Sequence, residues 1–298
     1  MPDEKRFAFG KNWKNYAKTL TKEKVSEAER SLTEWLGEGA LKGKSFLDIG
    51  SGSGLFSLAA YRLGASEVFS FDYDNDSAEC TASLKKRFAK HVAQNRVQEA
   101  SEHADMTKEG KDEGAGRWTV ERGDVLDEGY ISRFYGKYDI VYSWGVLHHT
   151  GNMKQALENA AKCVKDTPGS RLFIAIYNDQ GEMSNRWRRI KKFYCGLPEW
   201  GKRVFIGLIA FREFVLKDGF TFIKHPRYMM NIWKEGPVRG MNRFHDLVDW
   251  YGGYPFEVAK PEEILEFYQS RGFRIVKMKT CGGGLGCNEF VFTRGQAD

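Results

Sequence analysis

Apolar positions along this chain fall into short runs separated by longer amphipathic stretches. Seven runs have the length and the β-branched or aromatic content of strands: Ser45–Ile49, Glu67–Phe71, Trp118–Glu121, Tyr138–Ser143, Arg171–Tyr177, Phe273–Thr280 and Glu289–Thr293. Between them a helical spacing recurs. In Thr21–Leu36, Val25, Ala28, Leu32 and Leu36 line one face, and glycines 37, 39 and 43 close the segment. Leu55–Leu63, Ser77–Ala93, Asn152–Lys165 and Pro261–Gly272 predict further helices. Gln94–Gly116 is polar, charged and glycine-containing, and predicts a long loop. Strands alternating with helices predict an α/β fold with a doubly wound, Rossmann-like sheet of seven strands. The last two strands, joined by a glycine-rich link, predict an antiparallel terminal hairpin. After Tyr177 the alternation lapses. The expected division is an N-terminal lid and helix (1–43), a core (44–178 and 257–298), and a helical insertion (179–256) between strands five and six.

With 298 residues the chain can bury a core without a metal or disulfide staple. Its 41% hydrophobic and 29% charged residues exclude a largely disordered protein. The longest apolar run, Val204–Phe211, falls well short of a membrane span. The opening residues carry charge and no apolar signal core, and the five cysteines have no framework spacing. Both features predict a cytoplasmic protein. The net charge of +6 is unevenly placed, because residues 185–244 hold 14 Lys/Arg against 4 Asp/Glu, with 12 aromatics. Such a segment faces an anionic partner (a phosphorylated molecule, a lipid headgroup or RNA) or packs its aromatics inward and leaves its cations in water. Helical burial of aromatic faces favours the second reading.

The chemistry concentrates where the first strand meets the next helix. Phe46-Leu-Asp48-Ile-Gly50-Ser51-Gly52-Ser-Gly54 turns tightly and lets a ligand approach the main chain. The helix behind it offers unpaired N–H groups. Asp72 closes the second strand, at the spacing where a carboxylate reaches ribose hydroxyls. A pyrophosphate would be repelled by Asp48, whereas a cationic amine would be attracted. S-adenosylmethionine has that amine, a ribose and no phosphate. Asp124, after the third strand and followed by Val125, is placed to accept from an adenine amino group, and Tyr73 to lie against the ring.

These motifs resemble the class I S-adenosylmethionine-dependent methyltransferases, at the glycine loop, Asp72, Asp124, the fourth-strand end (Tyr142–Thr150) and the terminal hairpin. Within that class the chain looks most like the ubiquinone-biosynthesis O-methyltransferase-like branch. That likeness extends to Phe7–Trp13, Trp144–Thr150, Asp249–Glu257 and Cys281–Glu289. It departs at the paired His148 and His149, which speaks against a metal-assisted mechanism, and no metal is expected. The resemblance implies S-adenosylmethionine as cofactor, with Ser51, Ser143 and Trp13 joining the cofactor site.

On the acceptor side, His149 is the first candidate for a base, since an imidazole titrates near neutral pH. His148 and Tyr177 are further catalytic candidates at the same sheet edge, and the alternative for both histidines is a structural hydrogen bond. Asn178, His245, Asp246, Trp250, Tyr254 and Asn288 are candidates for acceptor binding, against core or turn roles. Phe7–Trp13, with Gly10 as hinge, predicts a flap over the cofactor. The expected activity is O-methylation of a small molecule, anionic or linked to a lipid or glycan. The alternatives are S-methylation of a small thiol and methylation of RNA. Nucleic acid is disfavoured because no separate RNA-binding module is visible.

Overall fold

The computed structural model describes residues 10, 13, 20–102, 116–212, 224 and 243–294, with the backbone alone at 89–102, 243–246 and 249. Helix α1 (Lys22–Leu36) is opened by the Thr21 hydroxyl and closed at Gly37, whose φ is 95°. Then follow β1 (Ser45–Ile49), α2 (Leu55–Arg62), β2 (Glu67–Asp72), α3 (Asn75–Glu102) and β3 (Arg117–Arg122). The short α4 (Glu128–Ile131) leads to β4 (Ile140–Trp144), a 3₁₀ turn at Leu147–His149, α5 (Met153–Cys163) and β5 (Arg171–Tyr177). Next come α6 (Glu182–Gly196), α7 (Glu199–Ala210), α8 (Arg243–Gly252), α9 (Pro261–Gln269), β6 (Phe273–Lys279) and β7 (Cys287–Arg294).

All seven expected strands form one sheet, in the order β3-β2-β1-β4-β5-β7-β6. β1 to β5 pair in parallel, and β7 runs antiparallel between β5 and β6. The central strands β1, β2, β4 and β5 are buried on both faces, which is why they read as apolar runs rather than alternating ones, whereas the edge strands β3 and β6 are largely exposed. Period-two geometry sorts their residues. Leu47, Val141, Leu172, Ile174, Phe290 and Phe292 join α5 and α9 in one core. Phe46, Ile140, Tyr142, Phe173 and Val291 join α1 and α2 in the other. The sequence order reverses between β1 and β4, and a ligand binds in the crevice beyond the strand ends at such a point.

Two boundaries differ most from expectation. The loop predicted from Gln94 is helical as far as Glu102, because its Ala, Glu, Gln and Arg residues favour helix without marking an apolar face; the rest, 103–115, lies outside the described residues. The fourth strand starts at Ile140, while Tyr138 makes only an isolated bridge to Val164. The segment after β5 holds α6, α7 and α8, whose Tyr194, Ile206 and Tyr251 form a third small core.

Phe173 is 1% exposed, and its ring lies 5.0 Å from Trp35 and 5.2 Å from Tyr142. Phe173→Ala is expected to cost about 3–5 kcal/mol of unfolding free energy, by lost transfer and a residual cavity. Trp200→Ala, at a side chain 72% exposed, should change stability by no more than about 0.5 kcal/mol. Urea midpoints of the two variants check this, and equal losses would contradict the assigned core.

Candidate active site

The turn after β1 is built on three left-handed glycines, Gly50, Gly52 and Gly54, with φ of 79°, 54° and 79°. It is also closely enclosed. A Cβ on Gly50 would meet Val146 Cγ1 at 2.4 Å, one on Gly52 the Trp13 ring at 3.0 Å, and one on Gly54 Thr81 Cγ2 at 2.9 Å. Thr81, on α3, donates to the Gly52 carbonyl at 3.2 Å, so Ser51 donates to the Thr81 hydroxyl at 3.0 Å. Asp72 grips the turn from β2: its Oδ2 accepts from the Gly52 amide at 3.0 Å and its Oδ1 from the Asp74 amide at 2.9 Å. Burial pushes its carboxyl up to about 6, against the pull of those two amides. Helix α2 opens at Gly54 with no side-chain cap.

Asp48 lies beneath the turn. It is 2% exposed, and its Oδ2 accepts from the Ser57 hydroxyl at 2.5 Å. Trp118 Nε1 donates to Ser70 at 2.8 Å, and the Ser70 and Ser57 hydroxyls lie 2.7 Å apart. Since the indole nitrogen only donates, the chain runs Trp118 to Ser70 to Ser57 to Asp48. Burial pushes the Asp48 carboxyl up to about 7, so it braces the turn from below instead of presenting a full charge to a ligand. Two further expected cofactor residues are likewise tied into the frame. Ser143 is wholly buried and donates to the Ile49 carbonyl at 3.0 Å, tying β4 to β1. Val125 packs in the core, and its carbonyl accepts from Asn159 at 2.8 Å.

The other expected cofactor residues lie around the turn. Tyr73 is 47% exposed beyond β2, with the Arg122 guanidinium 6.0 Å from its ring centre. Asp124 is half-buried, and its Oδ1 accepts from the Leu126 amide at 2.9 Å. Trp13 brings its ring against Gly52, and its carbonyl lies 3.4 Å from the Cys80 thiol. Gly10 lies where a Cβ would strike Asp74 and Asp76, so both described residues of the N-terminal arm sit on the cofactor turn or its neighbouring helix.

On the acceptor side, the Leu147–His149 turn carries two histidines with different surroundings. His148 is fully buried, and its Nδ1 accepts from the Tyr177 amide at 3.3 Å. His149 keeps part of its ring accessible, with Nδ1 2.7 Å from the Pro255 carbonyl. A carbonyl only accepts, so Nδ1 carries the proton and Nε2 is the basic nitrogen. Burial, then the charge of Lys191, pushes the His149 imidazole down to about 3, and burial holds His148 well below its ordinary range. The neutral-pH titration expected of His149 is thereby corrected.

Tyr177 packs against this pair, tilted 4.0 Å from the His148 ring and edge-to-face 5.4 Å from His149. Trp250 and Phe256 stand 5.7 and 5.3 Å from Tyr177 and extend the aromatic wall. Tyr254 is half-buried on the same returning segment. Asn178 and Asn288 anchor the neighbouring loop. Asn288 donates to Asn178 at 2.9 Å and accepts from the Cys281 amide at 3.0 Å, while Asn178 donates to the Gly284 carbonyl at 3.0 Å. These bonds hold the glycine-rich β6–β7 link against the end of β5. His245 and Asp246 lie in α8, with their side chains outside the described residues.

One cation of the basic segment, expected as a whole to keep its cations in water, lies beside this site. Lys191 is fully buried, its Nζ donates to the Trp250 carbonyl, and it lies 4.0 Å from the Trp250 ring and 4.9 Å from the Phe256 ring. The signal was the spacing of Ser184, Trp187, Lys191 and Tyr194, which places the lysine on the inward stripe of α6. Among the described residues no group of three His, Cys, Asp or Glu side chains is placed to hold a metal ion. The Asp72 carboxylate that faces the turn suits the hydroxyls of an adenosyl compound rather than a phosphate.

A stretch of 70 residues is 40% identical to the ribosomal protein L11 methyltransferase of Legionella pneumophila (strain Lens), covering 24% of each chain. Another, of 60 residues, is 45% identical to that of Xanthomonas campestris pv. campestris (strain 8004), covering 20% of each. The chain thus spans less than a quarter of these curated relatives. Among solved structures, magnesium protoporphyrin IX methyltransferase from Synechocystis PCC 6803 aligns at a TM-score of 0.44 and 16% identity, over 94% of this chain and 84% of that one. A SAM-dependent methyltransferase from Aquifex aeolicus aligns at 0.46 and 10% identity, over 94% and 97%. The model of a methyltransferase-domain family matches residues 21–224, and with the glycine turn, Asp72 and Asp124 all inside that match, the chain belongs to this family.

Proposed function

We propose that the protein methylates a hydroxyl of a small-molecule acceptor bound beyond β4 and β5, with His149 taking the hydroxyl's hydrogen bond and then its proton. The observation that carries this reading is the 2.7 Å bond from His149 Nδ1 to the Pro255 carbonyl. It fixes the ring with Nε2 as the accepting nitrogen, at the sheet edge where ligands of open α/β folds bind. Bound S-adenosylmethionine supplies a methyl carbon already activated by its sulfonium, so the protein's work is orientation and proton removal. Asp72 and Asp124 hold the ribose and the adenine edge, and Trp13 covers the turn. Tyr177, Trp250 and Phe256 wall the acceptor. A weakly basic His149 suffices because the attacking oxygen becomes strongly acidic only as the new bond forms.

One rival reading is favoured by a specific observation: the curated relatives are named for a ribosomal protein. Labelled-methyl transfer to phenols, thiols, tRNA and ribosomal protein in parallel distinguishes the two. Incorporation into phenols supports the proposal, and incorporation into ribosomal protein, tRNA or thiols alone overturns it.

His149→Ala is expected to lower kcat by about a hundredfold or more at saturating acceptor, with the KM for the donor unchanged. Because the folded imidazole titrates at about 3, below its ordinary 6.5, the ring is neutral throughout the working range. The kcat profile should therefore lack an inflection near 6.5. An inflection there that disappears in His149→Ala would contradict the assigned state.

Donor affinity should follow Asp72 instead. Its folded carboxyl titrates at about 6, so the anionic form is full above that value and is lost as pH falls through it. If the anion is what binds ribose, Kd for S-adenosylmethionine rises below pH 6, by at most about tenfold per pH unit. Asp72→Asn should bind more weakly and show a flat dependence. Calorimetry across this range decides, and a pH-independent wild-type Kd would remove Asp72 from the ribose.

A further inference from the structure

Helix α7 is apolar on two opposite sides. Its inner side sets Phe205, Ile206 and Ile209 against Tyr194 and Tyr251, with the Phe205 ring 5.5 Å from Tyr194 and 5.4 Å from Tyr251. On the outer side Trp200, Val204, Leu208 and Phe211 are 72%, 55%, 66% and 55% exposed. Steps of four, four and three residues place these side chains within an arc of roughly 80°. A helix apolar on both sides is ordinarily enclosed, so an outer stripe of this kind marks an interaction face.

The surroundings specify the partner. Arg203 and Arg212 flank the stripe, one on either side, and both are exposed. The preceding helix α6 turns Arg186, Arg189 and Phe193 outward, and Phe193, 61% exposed, lies 6.2 Å from the Phe205 ring. The wider segment, 185–244, carries 14 Lys/Arg against 4 Asp/Glu. Trp and Phe beside Leu and Val, rimmed by arginines, are the composition of a helix lying in a membrane interface. Two of the four stripe residues, Val204 and Leu208, have no ring on which a base could stack, which separates this face from a single-stranded RNA platform. Among the described residues no helix is long and apolar enough to cross a membrane, so the contact is with one surface.

We propose that the outer face of α7 docks on an anionic lipid bilayer, with Trp200, Val204, Leu208 and Phe211 seated at the headgroup level and the flanking arginines on acidic lipids. The face lies opposite the inward stripe of the α6–α7 pair, and docking does not depend on which acceptor is methylated.

The test is flotation of the full chain with vesicles of phosphatidylcholine alone and of phosphatidylcholine mixed with phosphatidylserine. The protein should float with the mixed vesicles only, and less at high salt. The double variant Val204→Glu/Leu208→Glu should lower the bound fraction about tenfold or more, with the circular dichroism spectrum and S-adenosylmethionine affinity of the parent. Trp200→Phe should still float but lose the blue shift of tryptophan emission that vesicles induce. Failure to float, equal flotation on neutral vesicles, or undiminished binding by the double variant overturns the proposal. So does a double variant that instead abolishes a lipid-independent dimer or binding to tRNA, which would assign the face to a second copy or to nucleic acid.

Discussion

Asp72 stands at the end of β2, where its Oδ2 accepts from the Gly52 amide of the neighbouring turn and its Oδ1 from the Asp74 amide of its own. One side chain thus fixes two backbone turns on either side of the cofactor crevice. Gly52 can meet it because its φ of 54° turns the amide out of the path a strand would follow. A hydrogen bond to a charged group contributes about 1.5–3 kcal/mol, and losing it would leave a half-buried carboxylate without compensation. The same burial that strengthens these bonds also lifts the carboxyl toward neutrality. Grip on the turn and sensitivity to acid therefore have one cause. The Trp118–Ser70–Ser57–Asp48 chain carries the constraint across β1, β2 and β3, because each donor in it has a fixed direction.

The acceptor side is organised around a cation. Lys191 is fully buried, yet its ammonium meets a carbonyl and two aromatic faces. Rings and carbonyls recover part of the hydration a buried ammonium loses, and they do so without adding an opposing charge to the histidines. In that field an imidazolium at either histidine would be penalised twice, by desolvation and by repulsion. The consequence is a neutral pair whose tautomers are set by backbone. His148 receives an amide and so protonates Nε2, whereas His149 faces a carbonyl and so protonates Nδ1. Adjacent residues of one type are thereby given opposite hydrogen-bonding sense.

Burial is what the sequence records well. Strands enclosed on both faces must be apolar, so the central ones were visible as runs, and Gly50, Gly52 and Gly54 were visible because glycine suits their φ best. Direction is recorded poorly. Ser143, Asn178 and Asn288 sit at the expected sheet edge, yet their polar groups are spent on Ile49, Gly284 and each other. Spacing placed them near the site without showing which partner each would meet. Asp48 follows the same logic, since its position in the motif was plain while its bond to Ser57 depends on where α2 lands against β2. Lys191 was hidden for the opposite reason. Its residue type speaks for water, and only the stripe it shares with Trp187 and Tyr194 speaks for the interior.

The pair α6–α7 joins both halves of this picture. On α6, Lys191 points inward to the Trp250 carbonyl, while Arg189 and Phe193, each two residues away, point outward. Helical geometry makes this unavoidable, since residues two apart lie about 200° around the axis. A force on the outer side of α6 or α7 is therefore transmitted through a rigid element, whose inner side holds Trp187 5.1 Å from Trp250 and Tyr194 near Tyr251. Trp250 in turn supplies the carbonyl that receives Lys191. A shift of the helix pair by a fraction of an ångström would change the distance from that ammonium to the histidines. Coulomb energy between such close groups in a poorly polarisable interior varies steeply with distance. Lys191, which adds its charge to the burial that keeps His149 neutral, is thus carried on the helix packed directly against α7, whose outer side bears the exposed apolar stripe.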